Sequence, residues 1–401
     1  IFSLGFYKLK IFHIQFSSID KLILVFFFYI ILNGIVNSNL QDDNSSAILA
    51  KSLGYLRFLI LYLTLKFLIT ENKINYKLIF ISFGSVSLFV ALDVTIQYFF
   101  GKDIFGYTIQ PTQRRLGGPF GDELSAGSFV QRFYIFALYF LIIFSKLKES
   151  SRLNAVIIFL MSLFLMGVLL AGNRVPLVMF FLSIILFFIL EKVFRKKSLL
   201  IFLIFLIIFS IPLSMHKKAW YHYAGFVVKS VETTNYIIKR FNYFNSEKLD
   251  YIPNSYAKEF ETGILTWKQN KFFGGGIKSF YFNCKKIKNS IMDKYGGTNC
   301  NSHPHNYYLH ISTELGLVGL FLIISIFSLI IVKSLKMILV SKNLHLEKTL
   351  IPFFIVFIAE IFPLKTSGSF FTSANSTFLF IIISFIVGLI QLREKDDYVS
   401  K

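Results

Sequence analysis

Three kinds of reactive side chain recur at defined places in this sequence. A histidine cluster reads His303-Pro304-His305-Asn306-Tyr307-Tyr308-Leu309-His310. Arginines stand at Arg174, in Ala-Gly-Asn-Arg-Val-Pro, and at Arg114-Arg115, ahead of a Gly/Pro-rich turn. The two cysteines of the chain, Cys284 and Cys300, flank a polar stretch that ends just before His303. An imidazole titrating near pH 6.5 can take a proton from a hydroxyl at neutral pH. A guanidinium keeps its charge and grips phosphate or carboxylate oxygens through two parallel hydrogen bonds. From the residues alone His305 has a second use, capping the helix that follows. His303 with His305 makes a His-x-His pair with no third metal ligand nearby. Gly274-Gly275-Gly276 lacks the Lys and Ser/Thr of a phosphate loop at the right spacing, so it reads as a turn.

The elements that position these residues follow from composition. Of 401 residues, 55% are hydrophobic, 18% aromatic with 50 Phe, and only 16% charged, with 42 Lys and Arg against 22 Asp and Glu. That is too apolar for a soluble domain, where about 25% of residues are charged. The basic residues fall between apolar runs rather than on one soluble module, which argues against a nucleic-acid binder. A span needs about 20 mostly apolar residues, fewer where flanks snorkel. Ten stretches qualify: 22–36, 54–69, 78–100, 129–144, 155–171, 176–190, 199–213, 315–332, 350–361 and 377–390. The fold class expected is an all-α polytopic membrane protein. Its domains are a transmembrane bundle over 1–213, a polar outer-loop domain over 214–314, and C-terminal helices with a tail over 315–401.

Basic residues orient the bundle. With the N-terminus inside, every inner segment carries three or four of them, for example Lys66, Lys73 and Lys77, or Lys192, Arg195, Lys196 and Lys197. Seven crossings then put the long polar segment on the outer face. The outer exceptions to this bias are Arg114, Arg115 and Arg174, with fourteen Lys and Arg against six Asp and Glu over 217–294, a local excess of +8. An anionic partner is the simplest reason for outward cations. Asp122-Glu123, the adjacent acidic pair on that face, reads equally as a solvated turn. The first sixteen residues, broken by Lys8, Lys10 and His13, do not read as a cleavable signal peptide, and a chain starting at Ile1 fits loss of N-terminal residues.

His305-Asn306, nine residues to Leu315, Gly316, two residues and Gly319 fit without a gap the signature His, Asn/Ser/Gln, nine residues, Gly, two residues, Gly. In this the chain resembles the O-antigen ligase and O-antigen polymerase family, bacterial membrane glycosyltransferases. Arg115-Leu-Gly-Gly-Pro-Phe-Gly, Gly172-Asn173-Arg174, Thr262-Gly263-Ile264-Leu265-Thr266-Trp267 and Phe273-Gly274-Gly275-Gly276 resemble further family motifs in the expected order. The family often has Arg where this chain has Ile264, so one phosphate-binding cation is missing there. Arg240, Lys268 or Lys278 are the candidates to replace it. Family members with about twelve helices carry nine before the long loop and three after, against seven and three here.

The resemblance implies a GT-C-like enzyme of the bacterial inner membrane, its active site on the periplasmic face. It would transfer a polyprenyl-pyrophosphate-linked polysaccharide to lipid A-core or another glycan acceptor, with membrane lipids around it and neither metal nor cofactor. His305 would be the base and Arg174 would hold the diphosphate, with Arg114, Arg115, Asn306, Lys278 and Arg240 on substrate. A disulfide between Cys284 and Cys300 would restrain the approach to His305 in an oxidising periplasm. Within the superfamily an O-antigen polymerase, or a relative that glycosylates protein hydroxyls, would share these features. A flippase or transporter predicts paired intramembrane charges and repeated halves. The ionisable residues of the spans, chiefly Arg57, Lys66, Asp93 and Glu360, show no such symmetry.

Overall fold

A computed structural model describes residues 16–40, 45–109, 115–145, 151–191, 204, 207, 217–242, 251–287, 290–294, 296–340, 344–365 and 368–399. The chain is an all-α polytopic membrane protein, with no named strand among these residues. The first helices are α1 (Ser18–Leu40), α2 (Ser45–Thr70), α3 (Tyr76–Phe100), α4 (Ala126–Phe144), α5 (Ser151–Leu170) and α6 (Arg174–Leu190). The polar segment supplies α7 (Lys217–Asn242), α8 (Ser255–Gln269) and the short α9 (Phe280–Lys285) and α10 (Ser290–Lys294). The chain returns to the bundle with α11 (Tyr307–Val340), α12 (Leu344–Glu360) and α13 (Ser373–Val399).

Seven of the described helices, α1 to α5, α11 and α13, are long and apolar enough to cross a membrane, and α6 is a shorter apolar helix. These eight and α12 coincide with nine of the ten expected stretches; most of the tenth, 199–213, lies outside the described residues. The helices extend beyond the apolar runs because polar caps and interfacial turns continue them. α11 starts at Tyr307 rather than at 315, so the outer segment ends earlier than expected.

Phenylalanines bind the bundle together. Phe80 of α3, Phe136 of α4 and Phe353 of α12 meet with ring centroids 5.0 to 5.8 Å apart, and Phe353 stacks on Phe385 of α13 at 4.4 Å. In lipid, where hydrophobic burial gives no net drive between helices, such packing is a main source of association.

Two sets of charges inside the bundle are paired, one near each end. At one end, Asp20 of α1 accepts from Lys66 Nζ at 2.7 Å, Tyr62 Oη at 2.6 Å and Gln391 Nε2 at 3.0 Å, tying α1, α2 and α13. At the other end, Arg132 of α4 donates to both Glu360 oxygens at 2.8 and 3.1 Å, and Lys365 Nζ lies 2.8 Å from the same carboxylate. Breaking one partner of such a pair leaves an uncompensated buried charge, a cost of about 3–5 kcal/mol. Lys66 and Glu360 therefore pair with other residues, not with each other.

The end that holds Glu360 is where the polar segment docks, through a backbone zipper. α11 breaks at Gly316, which sits at φ 65°, ψ −166°. The break lets two stretches of main chain pair: Gly275 N donates to Thr313 O at 3.2 Å, Gly276 N to Glu314 O at 2.8 Å, Leu317 N to Lys271 O at 2.9 Å and Val318 N to Phe272 O at 3.2 Å. A Cβ on Gly316 would lie 2.2 Å from Phe272 O, and one on Gly274 would lie 2.4 Å from the Glu314 carbonyl. The backbone at Gly316 is also one that essentially only glycine adopts. Tyr29 Oη and Asn33 Nδ2 of α1 both donate to Phe273 O, clamping the same loop to the bundle. Gly316→Ala is expected to destabilise the protein by about 2–4 kcal/mol, from backbone strain and overpacking together. A detergent-solubilised variant melting with wild type would contradict this.

Candidate active site

The turn into α11 sets the geometry. Asn306 caps the helix, its Oδ1 accepting from Tyr308 N at 3.0 Å and Leu309 N at 3.1 Å, as an Asn at this position does. Its Nδ2 donates to Pro363 O at 2.7 Å. Tyr307 Oη donates to Glu360 Oε1, and Tyr308 Oη to Ile361 O, both at 2.5 Å. The start of α11 is thus pinned to the connection between α12 and α13. His305, the residue before the cap, has φ 52°, a left-handed conformation that His tolerates better than most side chains.

Asn301 Nδ2 lies 3.3 Å from His305 Nε2. The His303 ring is 4.4 Å from that of His305 and 5.9 Å from that of His310. Burial, then the neighbouring His310 and His305, push the His303 imidazole down to about 3, so it stays neutral. His310 is fixed from both ring nitrogens, Nε2 at 3.1 Å from Glu314 Oε1 and Nδ1 at 3.2 Å from Ser369 Oγ. Among the described residues no group of three or more His, Cys, Asp or Glu is placed to hold a metal ion.

His305 lines a cavity of about 670 Å³. Its walls are apolar side chains of α6, α7, α8 and α11, including Val178, Phe226, Ile264, Trp267 and Leu320, with Phe362 to Leu364 closing one side. Ile264, in place of the expected arginine, is therefore part of a greasy wall. The polar groups facing the space include Tyr256, Glu259, His305 and Asn306.

Arg174 is the first residue of α6, next to the cavity-lining Val175. Its Nη1 donates to Tyr256 Oη at 3.3 Å, and its guanidinium lies 5.9 Å from the Phe226 ring. A helix N-terminus adds unsatisfied N–H groups and a partial positive charge, so anions are favoured beside this residue. Arg115 is exposed; its neighbour Leu116 donates to Ala171 O at 3.1 Å, which holds that loop on the turn before Arg174. Arg114 lies outside the described residues.

The remaining expected residues sit elsewhere. Arg240 is buried in an ion pair, its Nε 2.9 Å from Glu261 Oε2, with Tyr236 Oη donating to the same oxygen at 3.0 Å. This geometry makes it a structural link between α7 and α8 rather than a cation facing the cavity. Lys278 is exposed with φ 81°, on the loop that docks against α1, and is not part of the cavity lining. Asn306 borders the cavity, but its amide is engaged in the cap. Cys284 and Cys300 form a disulfide. Closing a loop of that length removes about 3 kcal/mol of unfolded-chain entropy in the chain model. Cys300 stands between Asn299 and Asn301, so the bridge anchors the strand of chain that contacts His305.

The fold defines a polytopic membrane protein in which a histidine lines an apolar cavity and an arginine contacts its tyrosine wall. Residues 156–324 match the family model described as O-antigen ligase, a stretch that takes in Arg174, α7, α8, His305, Gly316 and Gly319. Over that stretch, somewhat under half of its length, the chain is similar to the O-antigen ligase and polymerase family. No curated protein matches the chain.

Proposed function

We propose that the protein transfers a polyprenyl-pyrophosphate-linked polysaccharide to lipid A-core or a similar acceptor, as an O-antigen ligase of the inner membrane. The observation that carries this reading is His305 in the lining of an apolar cavity at the end of a membrane bundle, with Arg174 just outside it and donating to the lining Tyr256. The cavity suits an isoprenoid chain arriving from the bilayer, and the outward basic residues suit its diphosphate.

The acceptor hydroxyl loses its proton to His305 as its oxygen attacks the anomeric carbon of the donor sugar. The bond from that carbon to the phosphate oxygen breaks, and the configuration inverts. Negative charge grows on the departing polyprenyl pyrophosphate. Arg174 and the N-terminus of α6 stabilise it where it appears, which is the kind of interaction that lowers a barrier. Arg115 extends the basic surface on that side. The reaction draws on no metal. The bundle end that holds this site faces the periplasm, in keeping with the basic residues flanking the opposite ends of the helices.

A deletion strain tests the reading. A ligase leaves lipopolysaccharide with no bands above the core while lipid-linked polymer accumulates. A single capped repeat on the core would instead identify a polymerase, and a bare core without lipid-linked polymer would point to export.

A further inference from the structure

Glu259 lines the same cavity as His305 and is not one of the residues the sequence singled out. The two are brought together by the packing of α8 on the turn into α11. A Cβ on Gly263 would stand 3.3 Å from Pro304 Cβ and from Leu309 Cδ1, so this face of α8 lies directly on 304–309. Residues four apart on a helix share a face, which puts Glu259 one turn before Gly263 on the side of His305. A second link fixes the register: Asn299 N donates to Thr262 Oγ1 at 3.2 Å and Asn299 Nδ2 to Glu259 Oε1 at 3.3 Å. Two residues on, Asn301 contacts His305 Nε2. One short strand of chain, anchored by the disulfide at Cys300, thus holds both the carboxyl and the imidazole.

We propose that Glu259 is a positioning residue for His305, holding a negative charge against the imidazole so that the imidazolium formed on proton transfer is stabilised. The inference rests on the reading of His305 as the base. Burial raises the Glu259 carboxyl above the usual carboxylate range, and the neighbouring His305 opposes that rise, so the two groups feel each other's charge. The other groups around the pair do not supply the role. His303 stays neutral, and His310 is taken up by Glu314 and Ser369. On α8 itself Lys258 reaches toward Gly296 O at 3.5 Å, Glu261 is paired with Arg240, and Tyr256 meets Arg174.

The direction of the effect follows from the charge. A carboxylate beside an imidazole stabilises the imidazolium that forms on proton transfer; removing the carboxylate makes the ring a weaker base. A general base must be neutral to accept a proton, so a change that loosens the proton on the ring moves the acid limb of the pH profile down. Glu259→Gln keeps the acceptor that Asn299 needs and removes the charge. In vesicles holding the full-length protein, a synthetic polyprenyl-pyrophosphate oligosaccharide and lipid A-core, this variant is expected to lose about 10- to 100-fold in kcat. The acid limb of its pH profile should move down by about one unit. Glu259→Asp, which restores the charge at shorter reach, should return the limb most of the way to its wild-type position. An unmoved limb in Glu259→Gln, with His305→Asn inactive, overturns the role of Glu259 and leaves the base assignment standing. A fully active His305→Asn overturns the base assignment itself, and this inference with it.

Discussion

His305→Asn is expected to lower glycan transfer by about 10³-fold while the protein still folds and inserts, the scale for loss of a positioned general base. Asparagine is the informative replacement because the residue sits at φ 52°. Asn adopts that left-handed backbone more readily than Ala, which would add a penalty of about 1–2 kcal/mol unrelated to chemistry. Asn cannot accept a proton at neutral pH, so the substitution removes the base and little else. The cap at Asn306 and the tethers from Tyr307 and Tyr308 remain, so thermal stability should stay within about 1 kcal/mol of wild type. His305→Ala should be equally inactive. Measured as transfer in membranes with lipid-linked donor, full activity of the asparagine variant would remove the mechanism.

Arg174→Lys is expected to cost about 10- to 100-fold, mostly in kcat, although the charge is kept. A lysine ammonium is a compact point charge and cannot span two diphosphate oxygens as the planar guanidinium does. The replacement also loses the geometry that places Nη1 on Tyr256 Oη across the cavity border. The effect should fall on kcat because the diphosphate gains charge toward the transition state, so a contact that strengthens there changes rate more than binding. The N-terminus of α6 remains in place, which keeps the loss short of complete. Kinetics at saturating donor would show it; a lysine variant with wild-type kcat would mean that a point charge suffices or that the diphosphate lies elsewhere.

Much of this architecture is legible in the sequence because membrane spans are set by local composition. Nine of the ten apolar stretches coincide with described helices, since about 20 apolar residues leave the backbone few alternatives in lipid. The start of α11 is not marked by hydropathy. Tyr307 to Glu314 includes His310, Ser312, Thr313 and Glu314, and the helix begins there because Asn306 caps it. The spacing from His305 to Gly316 is visible as a pattern, but its reason is a backbone zipper to residues some 40 positions earlier, which no local signal carries. Arg240 reads as a candidate phosphate ligand only until Glu261, on the next helix, takes its guanidinium. Glu259 is passed over because a glutamate on an amphipathic helix looks solvated; only the docking of α8 on 304–309 turns it inward. Arg132 stands in an apolar stretch, where a charge is by default informative, and that signal could have led to its pairing with Glu360.

The most direct test of the central claim uses the purified full-length protein in lipid vesicles, with a polyprenyl-pyrophosphate oligosaccharide, lipid A-core acceptor and a metal chelator. Transferred glycan and released polyprenyl pyrophosphate are quantified together. The account predicts one polyprenyl pyrophosphate released for each glycan joined to lipid A-core, with the product inverted at the anomeric carbon and no turnover in His305→Asn. Glycan extended on the lipid carrier with no product on lipid A-core, or equal turnover in His305→Asn, would contradict it.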